Sequence, residues 1–162
     1  MAGTTYVRYG DGVKDPAAVR PASSIDAEGA VRCAYSKVTA AADEQSGSTH
    51  ILARLPSNAR ILPASTIFFA ALTGITTYGI GLGVAGAVVN SKTSTLNSGL
   101  DIHTAGNAVI GAALAAGSRG KKLWDLAGYT SDPGGMIDII GTTGADASAG
   151  GAIEAFIVYA KP

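Results

Sequence analysis

Gly79-Ile80-Gly81-Leu82-Gly83-Val84-Ala85-Gly86 sits at the centre of 31 consecutive residues, Ile61 to Ser91, that carry no charge. Three kinds of protein could own such a stretch. A membrane span needs roughly 20 predominantly apolar residues, but this one holds Pro63, Ser65, Thr66, Thr73, Thr76, Thr77 and Asn90. Four glycines within eight residues would each weaken a helix by about 0.8–1.0 kcal/mol relative to alanine. A dinucleotide fingerprint is spelled by Gly81-x-Gly83-x-x-Gly86, with Asp101 following the first glycine by 20 residues. That motif requires a helix to open where the glycines end, so that the pyrophosphate rests on its N-terminus. Ala87-Val88-Val89-Asn90-Ser91-Lys92-Thr93-Ser94-Thr95 is β-branched and hydroxyl-rich instead, and Ser, Thr and Asn compete with a helix for its own backbone. Strict alternation of Gly79, Gly81 and Gly83 with Ile80, Leu82 and Val84 reads best as a strand, Tyr78 to Val84. Its glycine face admits a second backbone at close range, and the expected source is the protein's own second sheet.

Around this stretch, 162 residues suffice for one domain with a core. Twelve basic and twelve acidic residues balance, which gives no electrostatic reason to expect nucleic acid or an anionic membrane as partner. Charged residues reach only 15%, below the roughly 25% of ordinary domains, so part of the surface is expected to be covered by assembly. Cys33 is the sole cysteine and cannot form an internal disulfide. Within Val31-Arg32-Cys33-Ala34-Tyr35-Ser36 it reads as a small buried hydrophobe. Met1 to Tyr6 has neither the basic nor the apolar region of a signal peptide, which predicts synthesis in the cytoplasm without secretion.

Residues 1–29 are rich in Gly, Pro, Asp and Arg and lack a sustained apolar period. An extended N-terminal arm is expected there, followed by a domain over 30–162. Tyr6, Arg8 and Tyr9 make candidate anchors on a neighbouring subunit, the alternative being that the arm folds back on its own domain. Strands are predicted around Val31–Ser36, His50–Leu55 and Ala59–Leu62. Ser65–Leu72 follows as an apolar run buried on both faces, then Tyr78–Val84. Residues 91–120 fit helix and strand equally. Lys121–Tyr129 reads as extended, Asp132-Pro133-Gly134-Gly135 as a turn, Met136–Ile140 as a strand, 141–151 as a loop, and Ala152–Tyr159 as the closing strand. About eight short strands with turns between them predict an all-β, jelly-roll-like β-sandwich.

Motifs of catalysis are missing from this pattern. His50 and His103 stand 53 residues apart in no metal-binding spacing, and His50 reads as a surface or satisfied histidine. Asp43-Glu44 reads as a solvated loop, Asp132 as a local turn acceptor, and Asp138 and Glu154 as facing solvent or an interface. Arg119-Gly120-Lys121-Lys122 is the one basic cluster, too short to argue nucleic-acid binding. Arg119, Lys121 and Lys122 are therefore secondary candidates for contact with an acidic protein surface. No cofactor, metal or small-molecule substrate is expected.

Three segments carry a resemblance. Leu55-Pro56-Ser57-Asn58-Ala59-Arg60-Ile61-Leu62, Gly99-Leu100-Asp101-Ile102-His103-Thr104-Ala105-Gly106, and Lys122-Leu123-Trp124-Asp125-Leu126-Ala127-Gly128-Tyr129 with Asp132-Pro133-Gly134-Gly135 resemble the capsid cement or decoration proteins of tailed bacteriophages. The resemblance spans roughly residues 30–160. It implies a non-enzymatic, jelly-roll-like subunit, commonly a homotrimer, bound to the major capsid protein on the capsid exterior and made in the bacterial cytoplasm. A head–tail connector or tail component is the alternative among structural proteins. A nucleotide-binding enzyme, through Gly81-x-Gly83-x-x-Gly86, is the alternative of another class.

Overall fold

The computed structural model describes residues 7–9, 31–90 and 92–161. Strands dominate them: β1 (Val7–Tyr9), β2 (Val31–Ala40), β3 (Thr49–Pro56), β4 (Arg60–Ile61), β5 (Thr66–Phe69), β6 (Tyr78–Val84), β7 (Ala87–Val88), β8 (Asn97–Leu100), β9 (Gly106–Val109), β10 (Met136–Thr143) and β11 (Gly151–Ala160). One sheet has the order β1-β3-β10-β6-β7, with β8 also on β6; the other runs β2-β11-β5-β9, with β4 on β11. All pairings are antiparallel except β1 with β3. The last two strands of the chain thus occupy the middle of both sheets. The fold is an all-β sandwich, and among the described residues no helix is long and apolar enough to cross a membrane.

The core forms where the inward positions of the two sheets meet. Leu55, Ile80, Leu82, Ile137 and Ile139 from one sheet pack with Val38, Ile67, Ile153 and Ile157 from the other. Expectation and structure part in several places. The run Ser65–Leu72 is not buried on both faces: Ile67 and Phe69 point inward while Phe68 is exposed. Of the stretch 91–120, the described residues 92–120 hold two short strands and a 3₁₀ turn at Ala116–Ser118. Lys121–Tyr129 is not extended but closes into the short helix α1 (Leu123–Leu126), which inserts Leu123 and Leu126 into the core. Residues 141–143, expected in a loop, belong to β10.

Tyr78–Val84 is a strand as expected, and its glycine face is filled. A Cβ on Gly81 would lie 1.8 Å from the carbonyl oxygen of Lys92, and one on Gly79 would lie 2.7 Å from that of Thr93. The crossing backbone is therefore this chain's own, but it is the segment after β7 rather than the second sheet. Lys92 O also accepts the Leu82 N–H at 2.8 Å, which pins the segment to β6. Beneath this cover Ile51 and Ile140 are buried on the outer side of the sheet, apart from the main core. Covered on both sides, the strand reads as charge-free for a reason of packing. β6 leads into a two-residue turn at Ala85 (φ 52) and Gly86 (φ 85), both in the left-handed region that a tight hairpin uses. A hairpin stands where a dinucleotide site needs a helix.

Two buried polar groups correct the reading of single carboxylates. Asp138 does not face solvent: it accepts from Arg54 Nε at 2.6 Å and Nη2 at 3.1 Å, and from the Gly86 N–H at 2.7 Å. Its neighbour across the ladder is Gly83, where a Cβ would meet the Ile140 side chain and the carbonyl of Ala87. Glu44 is not solvated either. Its Oε2 meets His50 Nε2 at 2.7 Å and its Oε1 accepts the Ala41 N–H, while His50 Nδ1 meets the Tyr78 hydroxyl at 2.9 Å. All three side chains are buried, so His50 is a satisfied core histidine. Asp132 is the local acceptor expected, taking the Ser57 hydroxyl and the Gly134 N–H; these two bonds, in that order, hold its carboxyl below the usual range.

Burial, then the charge of Glu44, pushes the Tyr78 phenol well above its ordinary value. In the unfolded chain that phenol ionises at about pH 10. Above that pH the unfolded state holds fewer protons than the folded one, so stability must fall as pH rises. Thermal melts of the wild type between neutrality and strong alkali are expected to show this decline. In Tyr78→Phe the decline is expected to be shallower, and equal slopes for the two proteins would refute the assignment.

Candidate interaction surface

Side chains alternate across a strand, so the pairing register decides what the second sheet shows on its outer side. Lys37 lies beside Glu154, Glu154 beside Phe68, and Phe68 beside Asn107. The next row joins Tyr35, Phe156, Thr66 and Val109, and Cys33 with Val158 follows. Val31 is 64% exposed, Tyr35 48%, Val109 45%, Phe68 43% and Phe156 38%. The outer side of an open antiparallel sheet is ordinarily polar. Here it carries a contiguous apolar field with a Lys37–Glu154 ion pair of 3.5 Å at one end.

The rings are ordered against one another. Tyr35 and Phe156 have centroids 4.8 Å apart and tilted by 45°, and Phe68 meets Phe156 edge-on at 5.8 Å and 86°. Such pairs contribute about 0.5–1.5 kcal/mol beyond their area, so the field is a preformed aromatic platform. Exposed Tyr and Phe in one patch, with charge confined to its margin, is the composition of a protein-binding surface.

Cys33 belongs to this outer side and is exposed, against its expected burial. The physical reason is that one unbroken alternation runs through β2: Val31, Cys33, Tyr35 and Thr39 point out, and the even positions, Ser36, Val38 and Ala40 among them, point in. Sequence alternation alone placed the aromatic residues inward and so missed the surface. The available signal was apolar residues at odd and even positions alike in β2 and β11, in a chain with too little charge.

The six residues singled out from sequence are not brought together by the described structure. Tyr6 lies outside the described residues. Arg8 and Tyr9 belong to β1, which pairs with β3 through Arg8↔His50 and Tyr9↔Ile51. Arg119 is exposed, donates to Leu114 O at 3.4 Å, and borders a hollow of about 40 Å³ with Ile61, Pro63, Val109 and Leu114. Lys121 pairs with Asp125 at 3.2 Å, and Lys122 is the residue before α1. Val109 is shared by the hollow and the apolar field, which sets Arg119 at its border.

Chemically reactive geometry is sparse. A cleft beside Gly79 is lined by Thr77, Thr93, Ser94, Ser98 and Thr142, offering hydroxyls and backbone without carboxylate, imidazole or amine. Among the described residues no group of three or more His, Cys, Asp or Glu side chains is placed to hold a metal ion.

The sequence matches no protein-family model and no curated protein. The fold is similar to that of two solved chains. One comes from a structure described as the capsid of Ralstonia phage GP4, with a TM-score of 0.62 at 16% identity, over 91% of this chain and 94% of that one. The other comes from the capsid asymmetric unit of cyanophage Pam1, with a TM-score of 0.51 at 16% identity, over 94% of this chain and 99% of that one. Both likenesses run end to end, so those chains are of nearly the same length.

Proposed function

We propose that the protein is a structural component of a phage virion: a capsid cement or decoration protein that binds the major capsid protein on the capsid exterior, acts as a homotrimer and performs no catalysis. The observation that carries the reading is the end-to-end likeness of the whole sandwich to chains of the same size from two phage capsids. The three sequence segments that resemble cement proteins support it independently. So does the open aromatic field that the described residues build on one sheet. A protein that holds a shell together needs contact area and many simultaneous contacts rather than a reactive pocket. Lattice contact is assigned to the arm, through Tyr6, Arg8 and Tyr9, with Arg119, Lys121 and Lys122 as a second contact.

Purified protein added to capsids assembled from the major capsid protein alone tests this, with electron microscopy as the readout. Density repeated over the whole lattice is the expected result. Density confined to one vertex would favour the head–tail connector, and no binding would sink both. Removal of residues 1–28 gives a second expected outcome. The deletion removes the edge strand β1 from beside β3 and keeps the described core cluster from Val38 to Ile157, so the truncated domain should fold. It should bind capsids at least tenfold more weakly, a loss of about 1.4 kcal/mol. Unchanged affinity would remove the arm from the contact.

A further inference from the structure

We infer that the outer side of the β2-β11-β5-β9 sheet is a self-association surface, on which a second copy of this chain packs face to face about a two-fold axis running along the strands between β2 and β11. The inference does not rest on the virion reading. Its ground is the self-complementarity of the register. A rotation about that axis keeps position along the strands and exchanges β2 with β11. Lys37 of one copy therefore faces Glu154 of the other, and Glu154 faces Lys37, since the two are direct ladder partners. The same operation sets Tyr35 against Phe156 and Cys33 against Val158. Within the overlap of β2 and β11 the two charges meet their opposites and Tyr35, Phe156, Cys33 and Val158 meet apolar partners, which is what an isologous contact demands. Phe68 on β5 and Val109 on β9 lie outside the overlap, because β2 is the edge strand.

An occupant of uniform charge would fit less well, because Lys37 and Glu154 already cancel within the field. The geometry is also that of aligned sheet packing, in which facing strands run within about 30° of each other. The two facing strands of 10 residues span on the order of 330 Å² of sheet plane in each copy. That is below the area of a standard specific interface, so weak, transient association, on the order of hundreds of micromolar, is expected. A two-fold contact cannot sit inside a threefold ring. It doubles whatever ring exists, turning a monomer into a dimer or a trimer into a hexamer.

Sedimentation of the full chain from micromolar to about millimolar concentrations tests the doubling. Cys33, the sole cysteine, supplies a geometric reading: facing sheets lie about 10 Å apart, so a bis-maleimide of about that reach should yield a covalent dimer. Phe156→Glu, at an exposed position, should weaken doubling at least tenfold. Lys37→Glu and Glu154→Lys should each do the same, and their combination should restore association to within about threefold of wild type, as expected for an isologous charge pair. Because the combined variant also restores the pair within one copy, a mixture of the two single variants decides the matter: each should associate with the other about as well as wild type does with itself, and neither with itself. Absence of doubling, or doubling untouched by these changes, would overturn the proposal.

Discussion

Gly81→Ala is expected to destabilise the protein by about 3 kcal/mol or more, although alanine is ordinarily the better strand residue. Glycine inside a strand costs roughly 0.5–1 kcal/mol relative to alanine through its backbone entropy, so the intrinsic term favours the substitution. Against it stands the Lys92 carbonyl oxygen, 1.8 Å from where the new Cβ would lie, with two further backbone atoms of that segment within 2.8 Å. Backbone held by its own hydrogen bond to Leu82 cannot turn aside as a side-chain tip can. Overpacking of this kind costs typically 1–3 kcal/mol and occasionally more, and it outweighs the entropic gain. For a chain of this length the melting temperature should drop by about 6–12 °C. Gly117→Ala, where a Cβ would meet nothing within 4 Å, is the control and should change little. Equal melting temperatures for Gly81→Ala and wild type would refute the crossing segment.

Asp138→Ala is expected to cost about 3–5 kcal/mol, the range for breaking a buried ion pair from one side. Asp138 is buried and the Arg54 side chain only 16% exposed. Truncation takes away the carboxylate to which two N–H groups of the Arg54 guanidinium donate. It also leaves the Gly86 N–H, at the left-handed hairpin turn, without that acceptor. The pair itself is not a large net source of stability, because desolvation offsets most of its attraction. Replacing both partners, as Arg54→Met with Asp138→Leu, should therefore recover most of the loss. Denaturant midpoints of the two single variants and the double variant give the comparison. If the double variant is as unstable as the sum of the singles, the coupling assigned to Arg54 and Asp138 is wrong.

Much of the sandwich was legible in the chain. Turn residues at Pro56-Ser57-Asn58 and Asp132-Pro133-Gly134-Gly135 cut it into short extended segments. Those segments carry β-branched and apolar residues at a period of two, and the strands stand where that period is strong, as at Tyr78–Val84 and Gly151–Ala160. Where the sequence is mostly Gly, Ala, Ser and Thr, as over 91–120, no period exists to read, and long-range pairing with β5 and β6 decided the conformation. Lys121–Tyr129 became helical because Leu123 and Leu126 gain burial three residues apart, a spacing that four residues are too few to announce.

The outer aromatic field was the least legible part. Phe68, Phe156 and Tyr35 are apolar residues in apolar strands, and hydrophobicity alone sends them inward. Only the pairing of β2 with β11 and of β11 with β5 assigns them to the same outer side and brings their rings into contact. The charge-free stretch makes the same division. By itself the sequence determined that Gly79, Gly81 and Gly83 share one side of a strand, because side-chain direction there is a local consequence of backbone geometry. Which backbone fills that side, and which sheet face stays open, depends on contacts between residues far apart in the chain, and those the tertiary structure alone decided.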